Sequence, residues 1–310
     1  TGWYEGAVSF TQILMEIGKE TFVLVYVYER DTTKKAVLSS LLKASHPMPS
    51  DNAGTLRVAL AGKVNDKRLL EAAMYAPSWL NIVGDYLAWP GLQSAAWYFH
   101  AHINQSFSAE KETEVARYSP ISPQDFNDGA FDIEWFKEAY NTLGDERFNI
   151  LYDCAKYLTE GGNHRRAQLF DDATPGKLNI KELEREIRCK RNKDKRISYS
   201  LVPFVKIKQK DMRDRYQFSQ ELLKESKAFG AQRRESEGKA SAIALENLAR
   251  NAGFSDALRF GWRMETLKIQ ELTGYFEPKE RDGIQVFVEI DEDGIAKLVC
   301  EKDGKRLTSV

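Results

Sequence analysis

The spacing of apolar residues changes once along the chain, near residue 273, and this change determines the fold class. Before that point apolar residues recur every three or four positions, which is the spacing of an amphipathic α-helix. Beyond it, Ile284, Val286, Val288 and Ile290 alternate with other residues, as in a β-strand. Many helices of about 10–18 residues joined by short loops are typical of a helical stack. The sequence therefore predicts a mainly α-helical fold, an irregular or HEAT-like stack, with a small C-terminal antiparallel β-meander.

The helical part is interrupted most clearly around Pro203, because proline disrupts a helix interior. The sequence predicts a helical stack over residues 1–202. It predicts a second segment over 203–310, with a very long helical stretch at 211–251 and a three-stranded meander at 284–310. We expect the two segments to pack as one continuous unit.

The composition restricts the class of protein and its compartment. A net charge of −1 over 310 residues predicts no nucleic-acid or membrane partner from overall charge. The three cysteines lack metal-site spacing, which favours a reducing compartment. No apolar run approaches the roughly 18 residues of a membrane helix, and no signal peptide is recognisable. Because the chain starts at Thr1 rather than Met, and already inside an amphipathic pattern, we expect a piece of a larger cytoplasmic protein.

A His-x-His pair in WYFHAHIN, at 97–104, is the first candidate for chemistry. On a helix, His100 and His102 fall about 80° to either side of the apolar stripe, so the two rings cannot share a metal ion. We predict no metal site and no cofactor, and we expect both rings in the core with hydrogen-bond partners. A catalytic role for one histidine stays open. Its carboxylate partners would come from distant loops: Asp125, Asp128 or Asp132.

Basic residues concentrate at 188–215, where eleven Lys or Arg stand against three Asp. Such a cluster can bind nucleic acid through counterion release, and Tyr199 and Phe204 could stack on bases. The alternative is that it faces the acidic stretch 108–172, which has fourteen acids and seven bases. The candidate anion-binding residues here are Lys190, Arg191, Lys193, Lys195 and Arg196.

A second basic group, Arg233 and Arg234, lies between two glycines of a helical pattern. Arg233 can bind an anion through two hydrogen bonds, or it can pair with Glu237 one turn away. Each glycine costs about 1 kcal/mol against alanine inside a helix. We therefore expect Gly230 and Gly238 to mark close helix contacts or a bend.

The common enzyme motifs are missing, among them GxGxxG, the P-loop, HExxH and GxSxG. Acid pairs such as Asp171-Asp172 have no supporting partner nearby in sequence. These observations favour a protein without catalysis of its own, and they leave the question of an enzyme open.

Several long phrases resemble a family of very large bacterial proteins grouped with the molybdate metabolism regulator. They include LLEAAMYAPSW at 69–79, WYFHAHIN at 97–104, KESKAFGAQRRESEGKA at 224–240 and ALENLARNAGFSDALRFGWRMET at 244–266. Some members carry a WGR module, which this chain lacks, and they share a C-terminal region of unknown function. The resemblance implies a helical, repeat-like piece of a multidomain cytoplasmic bacterial protein with a regulatory task.

Three functional hypotheses follow. The first is a helical scaffold or interaction module that contacts a protein partner or other domains of the same chain. The second is nucleic-acid binding through 188–215. The third is an unrecognised enzyme with a histidine and carboxylate site.

Overall fold

The computed structural model describes residues 5–23, 33–103, 108–158, 162–204 and 208–307. Most of them are helical and the last thirty form a small sheet, which confirms the predicted fold class. The described helices are α1 (Gly6–Ile17), α2 (Lys34–Lys43), α3 (Ala53–Leu60), α4 (Asp66–Tyr75), α5 (Leu80–Leu87), α6 (Leu92–Ile103), α7 (Ala109–Val115), α8 (Pro123–Asp128), α9 (Ile133–Cys154), α10 (Gly162–Ala173), α11 (Ile180–Lys190), α12 (Lys193–Leu201), α13 (Lys208–Ser226), α14 (Ala231–Ala252) and α15 (Ala257–Phe276).

Short polar side chains determine where several helices begin. Asn65 accepts a hydrogen bond from the backbone N–H of Arg68 at 2.8 Å, and Asp132 accepts one from Trp135 at 3.0 Å. Each bond satisfies a backbone donor that the first turn leaves unpaired, which stabilises a helix by about 1 kcal/mol. Gly253 ends α14 in the left-handed conformation, at φ 88°.

The centre of the fold is α6, whose residues from Ser94 to Ile103 are all buried. The main hydrophobic core around α6 is a single cluster of buried side chains, the first of which is Ala7 and the last Leu222. A smaller core joins α14 to α15 through Leu248 and Phe260. A helix that is apolar on every side needs neighbours on every side, and this explains the central position of α6.

Two long helical stretches are interrupted at glycines. The stretch 211–251, predicted as one helix, is two: α13 ends at Ser226, and Gly230 is the N-cap of α14. In α9 the chain bends at Gly144, where φ is 77° and ψ is 164°. Only glycine adopts this conformation without a large steric cost.

The C-terminal sheet is an antiparallel meander with one strand more than predicted. Its strands are β1 (Lys279–Arg281), β2 (Ile284–Ile290), β3 (Ala296–Lys302) and β4 (Lys305–Arg306), paired in that order. The additional strand is β1, which pairs with the start of β2 so that Lys279 lies opposite Val286. Its polar sequence has no β-strand alternation, so the pattern of apolar residues could not indicate it.

The proposed division into residues 1–202 and 203–310 stays a prediction. Phe218 and Leu222 of α13 belong to the main core, and α14 packs against α12. Within the described part of the chain, no helix is long and apolar enough to cross a membrane.

Candidate functional site

His102 is held in the core by the backbone on two sides. Its Nδ1 lies 2.8 Å from the carbonyl oxygen of Tyr98, and the N–H of Asp132 donates to Nε2 at 3.4 Å. The first contact requires an N–H on Nδ1 and the second a lone pair on Nε2, which describes a neutral ring. The rings of Phe126 and Phe131 lie 4.8 and 4.9 Å away.

His100 has a different environment. It is 2% exposed and packs on Trp97, and no described residue forms a hydrogen bond of ordinary geometry with either ring nitrogen. Burial, followed by the charge of Lys111, lowers the pKa of His100 well below 6.5, although the backbone of Met74 acts in the opposite direction. The ring is therefore neutral at physiological pH. The expectation of a hydrogen-bond partner stays a prediction for this histidine, with the backbone of Met74 as the candidate.

The three candidate carboxylates are used elsewhere. Asp132 lies near His102, but its carboxylate accepts from Ser119 at 2.7 Å and caps α9. The carboxylate of Asp125 is the partner of Ser122 at the start of α8. Asp128 accepts from Gln124 at 3.0 Å at the surface. No group of three metal-ligating side chains occurs among the residues that the structure describes.

The basic side chains of the stretch 188–215 pair with glutamates of four helices, α11, α13, α14 and α15. Arg196 is 3.3 Å from Glu237, and Arg191 contacts Glu225 at 2.6 Å as well as Glu237. The stretch forms four further sets of ion pairs: Arg188 with Glu221 and Glu225, Lys195 with Glu186, Arg213 with Glu271, and Arg215 with Asp211. The expectation that this stretch is compensated by 108–172 is therefore wrong for these residues. Lys206 lies outside the described residues.

Of the five candidate anion-binding residues in this stretch, only Lys190 and Lys193 are exposed. Lys193 lines an open groove of about 420 Å³ together with Asp128. Tyr199, expected to be available for stacking on a base, is buried, and its hydroxyl donates to Glu184.

Arg233 adopts the paired geometry that its spacing allows. It lies 3.2 Å from Glu237 and stacks over the ring of Phe229 at 3.7 Å. Arg234 is exposed. The expectation of a close helix contact at Gly238 is wrong, because a Cβ built there would meet nothing within 4 Å.

Sequence reasoning missed a carboxyl group at the edge of the core, that of Asp171 on α10. Tyr98 donates to its Oδ1 at 2.6 Å, while its Oδ2 is buried and has no hydrogen-bond partner among the described residues. Burial raises the pKa of Asp171 to about 8, partly offset by the bond from Tyr98. Asp171 lines a cavity of about 50 Å³ between α9 and α10. The two residues are 73 positions apart, so no local pattern could connect them.

Among the described helices, α15 stands out because it is apolar on two faces. Phe260, Met264 and Leu267 are buried against the rest of the protein. On the other side Leu258, Trp262 and Ile269 are exposed, by 61%, 58% and 61%.

Comparisons with known proteins identify the family of this chain but assign it no activity. A model described as a family of unknown function (DUF5724) matches residues 2–264, which leaves the end of α15 and the sheet outside the match. No curated protein matches, and no solved structure matches. The relation to the molybdate metabolism regulator and to WGR proteins stays a prediction. Because the match covers most of the chain, the chain belongs to the family of unknown function DUF5724.

Proposed function

We propose that this chain is a helical interaction module without catalysis of its own, and that α15 pairs with the α15 of a second copy. The observation that supports this proposal is the exposed apolar face of α15. One tryptophan and two aliphatic residues, all more than half exposed, recur at helical spacing along it. A helix with apolar residues on two faces is typical of one that is covered on both.

The spacing along α15 favours an antiparallel arrangement of two copies. Placing Trp262 of one copy against Ile269 of the other puts the two-fold axis between Glu265 and Thr266. Glu265 of one copy then approaches Lys268 of the other, so opposite charges flank the apolar contact. Two-fold dimers are the commonest protein oligomers, and the same surface serves both copies.

The sheet that follows α15 supports the same proposal. Ile290, Ile295 and Leu298 are each more than half exposed, although they belong to the strands or to the turn between them. Apolar exposure is therefore concentrated in the C-terminal region of the described chain. Scattered single apolar residues are normal on a protein surface, whereas a concentration of them is typical of an interaction surface.

The wider context of the proposal rests on the resemblance of the sequence phrases to the molybdate metabolism regulator group. It would place the module in a large, cytoplasmic, regulatory bacterial protein, where other domains supply the chemistry. The dimer would then bring two copies of that larger protein together.

Sedimentation equilibrium of the full chain tests the proposal. We expect a monomer–dimer equilibrium with a dissociation constant of about 10 µM or tighter, which is roughly −7 kcal/mol. Trp262→Glu should give a monomer, because it places a charge in the apolar contact. Val58→Glu is the matched control, since Val58 is 81% exposed on α3, and it should leave the dimer intact. A wild-type chain that stays monomeric would contradict the proposal.

The two alternative functions have less support. Arg191 and Arg196 of the basic stretch bind internal glutamates, and His102 and Asp132 serve the backbone or a nearby serine. Among the five candidate residues of the stretch, the nucleic-acid hypothesis now depends on the exposed Lys190 and Lys193. Binding of duplex DNA at about 50 mM salt that is lost in a Lys190→Glu, Lys193→Glu double variant would revive it.

A further inference from the structure

Two opposite charges beside the exposed apolar face of α15 have no ionic partner in their own chain. Glu265 and Lys268 are both exposed and stand three positions apart, a spacing at which such side chains commonly pair on a helix. Neither of them forms an ion pair with a residue that the structure describes, although other charged residues of α15 do. Both charges are therefore open to a partner from outside the chain.

The carboxylate of Glu265 is held in position by Tyr216 of α13. The hydroxyl of Tyr216 donates to Oε1 of Glu265 at 3.0 Å, which directs the carboxylate toward α13 and away from Lys268. The ring of Tyr216 is itself fixed edge to face on Phe260, with centroids 5.8 Å apart. Burial, followed by the bond to Glu265, raises the pKa of Tyr216 to about 12, so the hydroxyl keeps its proton at neutral pH.

A further cation nearby is occupied by another acid. Arg213 lines a pocket of about 190 Å³ between α13 and α15, together with Glu265 and Lys268. Its guanidinium group contacts Glu271, and its side chain is only 23% exposed. Arg213 therefore leaves the second oxygen of Glu265 accessible from solvent.

We infer that Glu265 and Lys268 determine which helix α15 accepts, namely a copy of itself in antiparallel orientation. The inference rests on the proposed dimer and specifies how its partner is selected. In the antiparallel arrangement Glu265 of each copy approaches Lys268 of the other, so the two-fold axis generates two attractive pairs. In a parallel arrangement each residue would meet its own counterpart, and like charges would lie together.

The two charges contribute more to selection than to affinity. Exposed ion pairs add little to binding, because water and salt screen them. Like charges brought together at an interface are strongly unfavourable, so they exclude wrong partners. Trp262 and Ile269 therefore supply the attraction, while Glu265 and Lys268 restrict it to one partner and one orientation.

Reversing the charges one at a time tests the inference by sedimentation equilibrium of the full chain. Glu265→Lys leaves two cations on each copy and Lys268→Glu leaves two acids, so each variant alone should dimerise at least tenfold more weakly than wild type at about 50 mM salt. An equimolar mixture of the two variants should dimerise within about threefold of wild type, because every contact then joins opposite charges. The double variant Glu265→Lys, Lys268→Glu should regain most of the lost affinity for the same reason.

Tyr216→Phe tests the positioning role of the hydroxyl. Its loss frees Glu265 to pair with Lys268 of its own helix, so the dimer should weaken about threefold at about 50 mM salt. At about 1 M salt, where charges interact only within about 3 Å, the variant should match wild type. Equal weakening at both salt concentrations would indicate a packing defect and would overturn the positioning role.

Glu235→Lys is the matched control, because it makes the same change of charge on the exposed side of α14. This variant should dimerise as wild type does, and weakening equal to that of Glu265→Lys would overturn the inference. Single variants that dimerise as tightly as wild type, or a mixture that stays monomeric, would overturn the inference and leave the dimer of the wild type in place. A monomeric wild type would contradict the proposed dimer and this inference together, so the two failures are distinguishable.

Discussion

The buried guanidinium of Arg196 on α12 lies 3.3 Å from the buried carboxylate of Glu237 on α14, and the two residues are 41 positions apart. Arg196 also donates to the hydroxyl of Ser241 at 2.9 Å. Burial alone would raise the pKa of Glu237, but the hydrogen bonds and charges of Arg191 and Arg196 lower it overall. This contact fixes the packing of α12 against α14.

Removing the charge of Glu237 should therefore destabilise the fold strongly. Glu237→Gln leaves the buried guanidinium of Arg196 without a counter-charge, which typically costs about 3–5 kcal/mol. Chemical denaturation followed by circular dichroism measures the change. The matched control is Glu235→Gln, because Glu235 pairs with Lys239 on the exposed side of the same helix, and its loss should be at most about 1 kcal/mol. Equal losses in the two variants would contradict a structural role for the buried pair.

The stability of the protein should depend on pH through Asp171. The pKa of Asp171 is about 8 in the folded chain and 3.8 in the unfolded chain. Between pH 3.8 and pH 8 the folded chain therefore binds a proton that the unfolded chain does not. The contribution of Asp171 to the free energy of unfolding is complete below about pH 4 and declines by about 1.4 kcal/mol per pH unit up to pH 8.

Thermal denaturation of wild type and Asp171→Asn between pH 5 and pH 8 checks this dependence. The variant should gain stability relative to wild type as the pH rises. A difference in melting temperature that stays constant across this range would show that Asp171 does not titrate as described.

His100 should destabilise the protein in acid. Its pKa in the folded state lies well below 6.5, so below pH 6.5 the unfolded chain takes up a proton that the folded chain does not. Stability from this residue is thus present at neutral pH and is lost as the pH falls. His100→Met removes this proton uptake, so its free energy of unfolding should rise relative to wild type by about 1.4 kcal/mol per pH unit below pH 6.5. Denaturation midpoints at pH 7.5 and pH 5.5 measure the gain, and an unchanged difference between the two would refute it.

Two glycines should respond to alanine in opposite ways. Gly144 has φ 77° and ψ 164°, so Gly144→Ala should lose more than about 1 kcal/mol from backbone strain. Gly238 lies within α14, with open space where a Cβ would stand. Gly238→Ala should therefore gain about 0.5–1 kcal/mol. Denaturation of both variants under one condition gives the comparison, and a shared sign would contradict the backbone geometry.

The sequence predicts local features well and long-range contacts poorly. The change of apolar spacing near residue 273 correctly predicts both helices and sheet, and helical geometry separates the surroundings of His100 from those of His102. The sequence could not predict that Glu237 neutralises Arg196. Glu237 lies four residues after Arg233, and this spacing alone predicts a simple ion pair between those two residues. Asp171 was missed for a related reason. An acid pair has no distinctive spacing, and its partner Tyr98 belongs to a helix that is far away in the sequence.

Cysteine cross-linking between copies tests the proposed α15 pairing most directly. Thr266 lies beside the predicted two-fold axis, whereas the two Thr273 positions would be about 22 Å apart along the helices. Both threonines are exposed and bond to the carbonyl four residues earlier, so they are matched. In a background with the exposed Cys189 changed to serine, Thr266→Cys should form a disulfide-linked dimer under mild oxidation and Thr273→Cys should not. Failure of Thr266→Cys to cross-link, or equal cross-linking at both positions, would contradict the antiparallel pairing.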